Sequence, residues 1–222
     1  MLRIKICGIT NVEAALAAAA AGADAIGLNC FAGSPRCITR DRAAEIIAAL
    51  PVGIARVGVF VNATTDEMKR LYDELPLDLI QLHGDEPPAT IAELAPRRVL
   101  RAFRCSTANV ADALAYLDRC RQFGSLPAGI LVDAFHPTQF GGTGQSVDTA
   151  VVAIIREHAP HLPLVLAGGL TPENVAAAIA AARPDGVDTA SGVEVSLGRK
   201  DHAKISKFVA RARAAFERLV AP

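Results

Sequence analysis

The sequence predicts an α/β protein built as a single (β/α)8 TIM barrel with eight parallel strands. Three observations support this fold class. Short β-branched runs alternate with longer Ala- and Leu-rich stretches, about eight such repeats fit into 222 residues, and no linker or charged block divides the chain. We therefore expect one catalytic domain over residues 1–222. An open doubly wound sheet is the alternative, but Cys7–Thr10 does not match the glycine motif of a dinucleotide site.

The strands are predicted from short apolar runs, most of them continuous, which is typical of parallel strands buried on both faces. They are expected at Arg3–Cys7, Ala25–Leu28, Ala55–Phe60, Leu77–Gln81, Arg98–Phe103, Gly129–Asp133, Leu164–Ala167 and Gly186–Thr189.

The helices are predicted between the strands from amphipathic spacing and from start signals. Thr10 stands three residues before Glu13, as in a capping box, and Thr171 precedes Pro172 as an N-cap would. The helices are expected at Asn11–Ala21, Arg40–Leu50, Thr65–Leu75, Pro87–Leu94, Thr107–Arg121, Asp148–His158, Pro172–Ala182 and Asp201–Leu219.

Composition narrows the class of partner. The chain has 23 Lys and Arg against 23 Asp and Glu, which argues against nucleic acid or an anionic membrane, because both require surplus positive charge. The Ala-rich run Ala14–Ala23 is about half the ~20 residues that span a bilayer. Five cysteines without a C-x-x-C pair favour reduced thiols. We expect a soluble cytoplasmic protein with a small-molecule partner, and a monomer, with a dimer as the alternative.

Three glycine-rich segments follow the last three predicted strands. Gly141–Gly144, Ala167–Leu170 and Ser191–Glu194 fall where this fold usually binds phosphate, and glycine lets backbone N–H groups approach an anion closely. A tight turn is the alternative for each loop taken alone. The predicted phosphate-binding residues are Gly142, Gly144, Gly168, Gly169, Ser191 and Gly192.

Cys7 and Asp133 are the candidate catalytic pair. Each ends a predicted strand, the first and the sixth, so both should face the carboxyl-terminal mouth of the barrel. We predict that Cys7 is the general base and Asp133 the general acid. A thiol of ordinary pKa is mostly protonated at neutral pH, so the base role requires local activation. The alternatives are a buried apolar cysteine and a turn aspartate.

Three further residues are predicted to bind substrate. Arg36, in the loop after the second strand, has the geometry to hold a carboxylate. His83 follows the fourth strand and Asp188 lies in the eighth. A solvated arginine and a loop histidine are the ordinary alternatives. No metal site is predicted, because Ala159-Pro160 interrupts the spacing between His158 and His161.

The chain resembles the phosphoribosylanthranilate isomerase family of tryptophan biosynthesis, and the matching segments run through nearly its whole length. The most specific are the opening KICGIT and the later QLHGDE. The segments are Lys5–Thr10, Gly22–Gly27, Ser34–Arg36, Gly58–Asn62, Gln81–Glu86, Leu131–Asp133, Gly141–Gly144, Ala167–Leu170 and Ser191–Glu194.

The resemblance implies a cofactor-independent Amadori rearrangement of a phosphorylated aminosugar. By analogy, Asp133 protonates the ring oxygen, Cys7 removes the proton at sugar C2, and Arg36 holds the anthranilate carboxylate. The phosphate goes to the three glycine loops. The chain departs from many relatives in having no Trp after Gly144, in Thr189-Ala190, where relatives often have a second serine, and in Asn29–Gly33.

Two rival functions remain at this point. The aminosugar isomerase of histidine biosynthesis would use paired aspartates, whereas the first strand here ends in Cys7. A phosphate-binding barrel that acts as a scaffold or sensor would not need Cys7, Asp133 and Arg36 together.

Overall fold

A computed structural model of the protein describes residues 2–133 and 149–220. Eight strands close into a barrel, in which each strand pairs in parallel with the next and the last pairs with the first. This confirms the predicted fold class. The strands are β1 (Ile4–Cys7), β2 (Ala25–Asn29), β3 (Ala55–Phe60), β4 (Leu79–Leu82), β5 (Val99–Arg104), β6 (Gly129–Asp133), β7 (Leu164–Ala167) and β8 (Gly186–Thr189).

A helix follows each strand of the barrel. The helices are α1 (Val12–Ala20), α2 (Arg40–Ala49), α3 (Thr65–Glu74), α4 (Ala89–Leu94), α5 (Val110–Gln122), α6 (Thr149–His158), α7 (Val175–Ala182) and α8 (His202–Val220). Within the described residues, none of these helices is both long and apolar enough to cross a membrane.

Two predicted helix N-caps, Thr10 and Thr171, are wrong, and α4 and α5 begin at Ala89 and Val110 and not at Pro87 and Thr107. Asn11 caps α1 by accepting a hydrogen bond from the N–H of Ala14 at 2.8 Å, while the Thr10 hydroxyl donates to the carbonyl of Gly198. Residues 172–174 form a turn, and the Thr171 hydroxyl accepts from the N–H of Glu173 within it. Short polar side chains offer the backbone such local alternatives to helix, and the choice depends on surroundings that the sequence pattern does not contain.

A small antiparallel hairpin after β8 was not predicted. It consists of β9 (Glu194–Ser196) and β10 (Arg199–Lys200), and it follows a 3-10 turn at Ser191–Val193. The hairpin brings Glu194 and Lys200 to the mouth of the barrel, where the prediction placed only a glycine loop.

The buried residues form two layers, one between the strands and the helices and one inside the barrel. The two layers are separate because alternate residues of each strand point into the barrel and toward the helices. The inner layer is the smaller of the two. At the carboxyl ends of the strands the inward positions turn polar, and this end of the barrel holds a cavity. The inner apolar residues are Ala25, Val57, Leu79, Leu100, Ala102, Leu131, Val165 and Ala167.

Candidate active site

A cavity of about 380 Å³ opens at the carboxyl-terminal mouth of the barrel. It brings together eight of the predicted site residues, which come from separate strands and loops. Gly192 is not among its lining residues, and Gly142 and Gly144 lie outside the described residues. The predicted residues that line it are Cys7, Arg36, His83, Asp133, Gly168, Gly169, Asp188 and Ser191.

The β1–β8 side of the cavity (Lys5, Cys7, Asp188) contains a buried ion pair. Lys5 and Cys7 are two residues apart on β1, so both face the barrel interior. Lys5 is 1% exposed, and its Nζ lies 3.0 Å from Oδ1 of Asp188. A Cβ atom at Gly27 of β2 would lie 2.6 Å from Sγ of Cys7 and 3.1 Å from Nζ of Lys5. Glycine at this position therefore leaves room for the thiol and the ammonium together.

The charges on this side oppose the effect of burial on Cys7. Burial raises the pKa of the Cys7 thiol, the positive charges of Lys5 and Lys200 lower it, and Asp188 raises it, so that the pKa lies above its ordinary value. Burial by itself lowers the pKa of Lys5, but Asp188 and Cys7 outweigh it and the pKa is raised. Lys5 is therefore a cation throughout the neutral range.

A second cluster of ion pairs, formed with Glu194 and Lys200, fixes the side chain of Arg36. Its Nε and NH2 groups donate to the two carboxylate oxygens of Glu194, each at 2.8 Å. Lys200 donates to Oε1 of Glu194 at 2.9 Å and to the carbonyl of Ala190 at 2.8 Å. Burial raises the pKa of Glu194, but its hydrogen bonds with Arg36 and Lys200 outweigh burial and lower it. The arginine is thus fixed in place, and its NH1 group takes no part in this pair.

On the β4–β6 side of the cavity (Gln81, His83, Asp133), the three side chains contact one another at longer distances. Nε2 of Gln81 lies 3.2 Å from Nδ1 of His83, and Nε2 of His83 lies 3.7 Å from Oδ2 of Asp133. If the Gln81 amide donates, Nδ1 accepts and the imidazole proton is on Nε2, directed toward the carboxyl. The distance of 3.7 Å is too long for a hydrogen bond, so these two groups are near neighbours.

The loop after β7 presents two glycines to the cavity. Gly168 and Gly169 have φ values of 93° and 61°, and a Cβ at Gly169 would meet only open space. The Asn174 amide donates to the carbonyl of Gly169, which ties the loop down. This loop has both the backbone freedom and the openness that an anion site requires.

Gly192 is needed for packing against the neighbouring loop. A Cβ there would overlap the carbonyl oxygen of Leu170, which also accepts a hydrogen bond from the Thr189 hydroxyl. The role of Gly192 as a phosphate ligand stays a prediction.

Sequence reasoning missed Lys5, Glu194, Lys200 and Gln81. A lysine between Ile4 and Ile6 in a buried strand is an available signal for the first, because such a charge needs a partner. Glu194 and Lys200 give no such signal, because the hairpin that brings them to Arg36 was not predicted. Within residues 2–133 and 149–220 there is no group of three or more His, Cys, Asp or Glu side chains suited to a metal ion.

The family model for N-(5'-phosphoribosyl)anthranilate (PRA) isomerase matches residues 4–211. The chain belongs to the PRA isomerase family. The PRA isomerase of Acidithiobacillus ferrooxidans is 46% identical over 213 residues, which cover 96% of this chain and 98% of the relative. Membership in this family makes the protein an isomerase.

Solved structures of PRA isomerases agree with this assignment. The Thermotoga maritima enzyme superimposes with a TM-score of 0.84 at 38% identity, over 96% of this chain and all of the other. A PRA isomerase in complex with reduced 1-(o-carboxyphenylamino)-1-deoxyribulose 5-phosphate superimposes with a TM-score of 0.82 at 36% identity, with the same coverage.

Proposed function

We propose that this protein rearranges N-(5-phosphoribosyl)anthranilate to 1-(2-carboxyphenylamino)-1-deoxyribulose 5-phosphate in tryptophan biosynthesis. The observation that carries the proposal is that Cys7 and Asp133, from β1 and β6, line one cavity with Arg36 and the Gly168-Gly169 loop. A base, an acid, a cation and an anion-binding loop are the groups this rearrangement uses. Membership in the PRA isomerase family supports the choice of substrate.

The first step is ring opening. The Asp133 carboxyl donates its proton to the furanose ring oxygen, the bond from that oxygen to C1 breaks, and the anilino nitrogen supplies the electron pair to form an iminium. His83 lies beside Asp133 and, with a proton on Nε2, can donate a hydrogen bond at this side of the cavity.

The second step is proton removal at C2. The Cys7 thiolate takes this proton, and the C–H electrons neutralise the iminium to give an enolamine, which tautomerises to the ketone. The electron sink is the substrate's own nitrogen, so these steps use no electron from a metal or an organic cofactor. The absence of a cofactor, the cytoplasmic location and the monomeric state remain predictions from the sequence.

Substrate binding uses the two ends of the cavity. Arg36 receives the anthranilate carboxylate, and because Glu194 already holds the guanidinium, little conformational freedom is lost on binding.

The phosphate is received by Gly168, Gly169 and Ser191, to which the sequence adds Gly142, Gly144 and Gly192. Asp188, tied to Lys5, lies within reach of a sugar hydroxyl.

The test has a cellular arm and a purified arm. The gene is expressed in a bacterial tryptophan auxotroph that lacks PRA isomerase, and the purified protein is assayed for PRA turnover by the loss of anthranilate-type fluorescence. We expect growth without tryptophan and turnover of PRA, both abolished in a Cys7→Ser, Asp133→Asn double variant.

Failure of the folded wild-type protein in both arms would refute the proposal. Turnover of the histidine-pathway aminosugar instead of PRA would favour the rival isomerase. Phosphate binding without turnover of either compound would favour the scaffold reading.

A further inference from the structure

The buried Lys5–Asp188 pair has no evident structural purpose. A buried ion pair is often no more stable than apolar side chains of the same volume, because both charges lose their hydration. Among the described residues, the side chain of Lys5 interacts with Asp188 and with Cys7. The pair connects two adjacent strands of the barrel that are already joined by backbone hydrogen bonds.

A different buried ion pair, between Arg101 and Glu86, has a clear structural purpose. Arg101 donates to Glu86 at 2.8 Å and also to the carbonyls of Leu82 and Gly84. Glu86 in turn accepts from the N–H groups of Asn62 and Gly84. These bonds fix the loops after β3 and β4. The Lys5 side chain donates to no backbone carbonyl among the described residues, so loop anchoring does not explain the Lys5–Asp188 pair.

We propose that Lys5 is a positioning residue whose ammonium stabilises the thiolate form of Cys7 against the effect of burial, with Asp188 fixing where that ammonium lies. The inference deepens the proposed function and rests on it, since it concerns the base of the same reaction. Gly27 completes the arrangement, because its missing side chain leaves space beside both Sγ of Cys7 and Nζ of Lys5.

The charges that face Cys7 come from several elements. Lys5 on β1 and Lys200 on β10 favour the thiolate, and Arg36, in the loop after β2, also interacts with Cys7. Asp188 on β8 opposes the thiolate. The negative charge of Glu194 is shared between Arg36 and Lys200, whereas Lys5 is paired with Asp188. Asp133 and His83 stand across the cavity.

This arrangement makes opposite predictions for the two members of the pair. Removing the Lys5 charge raises the pKa of Cys7, because burial and Asp188 are then less opposed. Removing the Asp188 charge lowers the pKa of Cys7, because Lys5 then acts on the thiol alone. A purely structural role predicts that both substitutions loosen the same ion pair and change Cys7 in the same direction.

The experiment measures the rate of Cys7 alkylation by iodoacetamide against pH, with each cysteine followed separately by mass spectrometry. The proteins are the wild type, Lys5→Met, Asp188→Asn and the control Glu86→Gln, which breaks the buried Arg101–Glu86 pair. The pH midpoint of Cys7 alkylation is compared between the proteins, because a change in the access of iodoacetamide to Cys7 alters the rate at every pH but does not move the midpoint. Burial raises the pKa values of Cys30, Cys105 and Cys120 to about 12, 11 and 11, which makes them internal references.

We expect Lys5→Met to move the Cys7 midpoint upward by about one to three pH units, and Asp188→Asn to move it downward. Glu86→Gln should leave it in place. In turnover, Lys5→Met should lower kcat more than it changes KM, and the rising limb of its pH profile should move with the alkylation midpoint. If Lys5→Met does not fold, the downward shift in Asp188→Asn and its reversal in the Lys5→Met, Asp188→Asn double variant test the same point.

An unchanged midpoint in Lys5→Met, or shifts of the same sign in both single variants, would overturn the inference. The outcome is separable from the proposed function, because alkylation needs no substrate. If the two single variants shift the midpoint in opposite directions but the wild-type protein does not rearrange PRA, the function is refuted while the coupling of Lys5 to Cys7 is confirmed. Normal PRA turnover with no shift would leave the function and refute the role of Lys5.

Discussion

The β1–β8 side of the cavity and the β4–β6 side are built in different ways. On the first side Lys5 and Asp188 are paired as full charges at 3.0 Å, and Arg36, which also lines the cavity, is paired with Glu194 at 2.8 Å. On the second side, the contacts of His83 with Gln81 and Asp133 are longer, at 3.2 and 3.7 Å.

The difference corresponds to the chemistry proposed for each side. Burial disfavours a thiolate and raises the pKa of Cys7, so fixed positive charge is needed near Sγ to oppose this effect. A carboxyl that must deliver a proton needs a neighbour that does not form a tight ion pair with it, and His83, at 3.7 Å from Oδ2 of Asp133, meets this condition. The comparison therefore predicts that the two sides respond differently to substitution and to pH.

The largest effects are expected at the two catalytic residues themselves. Cys7→Ser and Asp133→Asn should each lower kcat by at least about a hundredfold, with phosphate binding nearly intact, as is typical for the loss of an acid or a base. Steady-state turnover of PRA and binding of inorganic phosphate check this. Cys37→Ser, the same exchange at a thiol that does not line the cavity, is the control. Turnover close to the wild type in either variant would remove that residue from the mechanism.

The next effect compares a cation that is held by Glu194 with an exposed cation that is not. Arg36→Ala should raise KM by about ten- to a hundredfold and change kcat much less, because a charge-assisted hydrogen bond contributes roughly 1.5–3 kcal/mol. Arg104→Ala removes an exposed arginine that also lines the cavity and should raise KM less, since nothing comparable to Glu194 holds it among the described residues. Initial-rate kinetics on both variants give the comparison, and equal effects would show that the Glu194 clamp is unimportant.

The pH dependence of kcat/KM should reveal the raised pKa of Cys7. Below that pKa the thiol is protonated and inactive, so activity should climb by at most tenfold per pH unit through the neutral range. The rising limb should have its midpoint above 9.0, the ordinary value for this thiol. Cys7→Ser should lose this limb, whereas His83→Ala, on the other side of the cavity, should keep it. A plateau reached already at neutral pH would contradict the assignment.

The smallest effect is expected from filling the space beside Cys7. Gly27→Ala adds a methyl group that would crowd Sγ and Nζ, which should cost about 1–3 kcal/mol in the free energy of unfolding and slow turnover. Gly129→Ala crowds the carbonyl of Pro163, away from the cavity, and serves as the matched control for denaturant unfolding. Gly129→Ala should lower the free energy of unfolding without changing the pH midpoint of Cys7 alkylation. A fully stable and active Gly27→Ala protein would show that this space is not restrictive.

The sequence predicted the barrel well because its signals are local. A continuous apolar run such as Gly129–Val132 predicts a buried parallel strand. A polar residue at the end of the run, such as Asp133, indicates the carboxyl-terminal mouth of the barrel. The predicted boundaries of β3, β6, β7 and β8 match the structure. The starts of α1 and α7 were predicted wrongly, because Thr10 bonds to Gly198, far along the chain, and Thr171 closes a turn of its own.

By itself, the sequence determined the closed barrel, the strand ends that carry Cys7 and Asp133, and the loops that follow them. Tertiary structure decided which charges surround the thiol. Lys5 meets Asp188 across 183 positions of chain, and Arg36 meets Glu194 across 158. Such pairs arise only when the barrel closes β8 onto β1, because nothing in the local pattern of either residue specifies its partner.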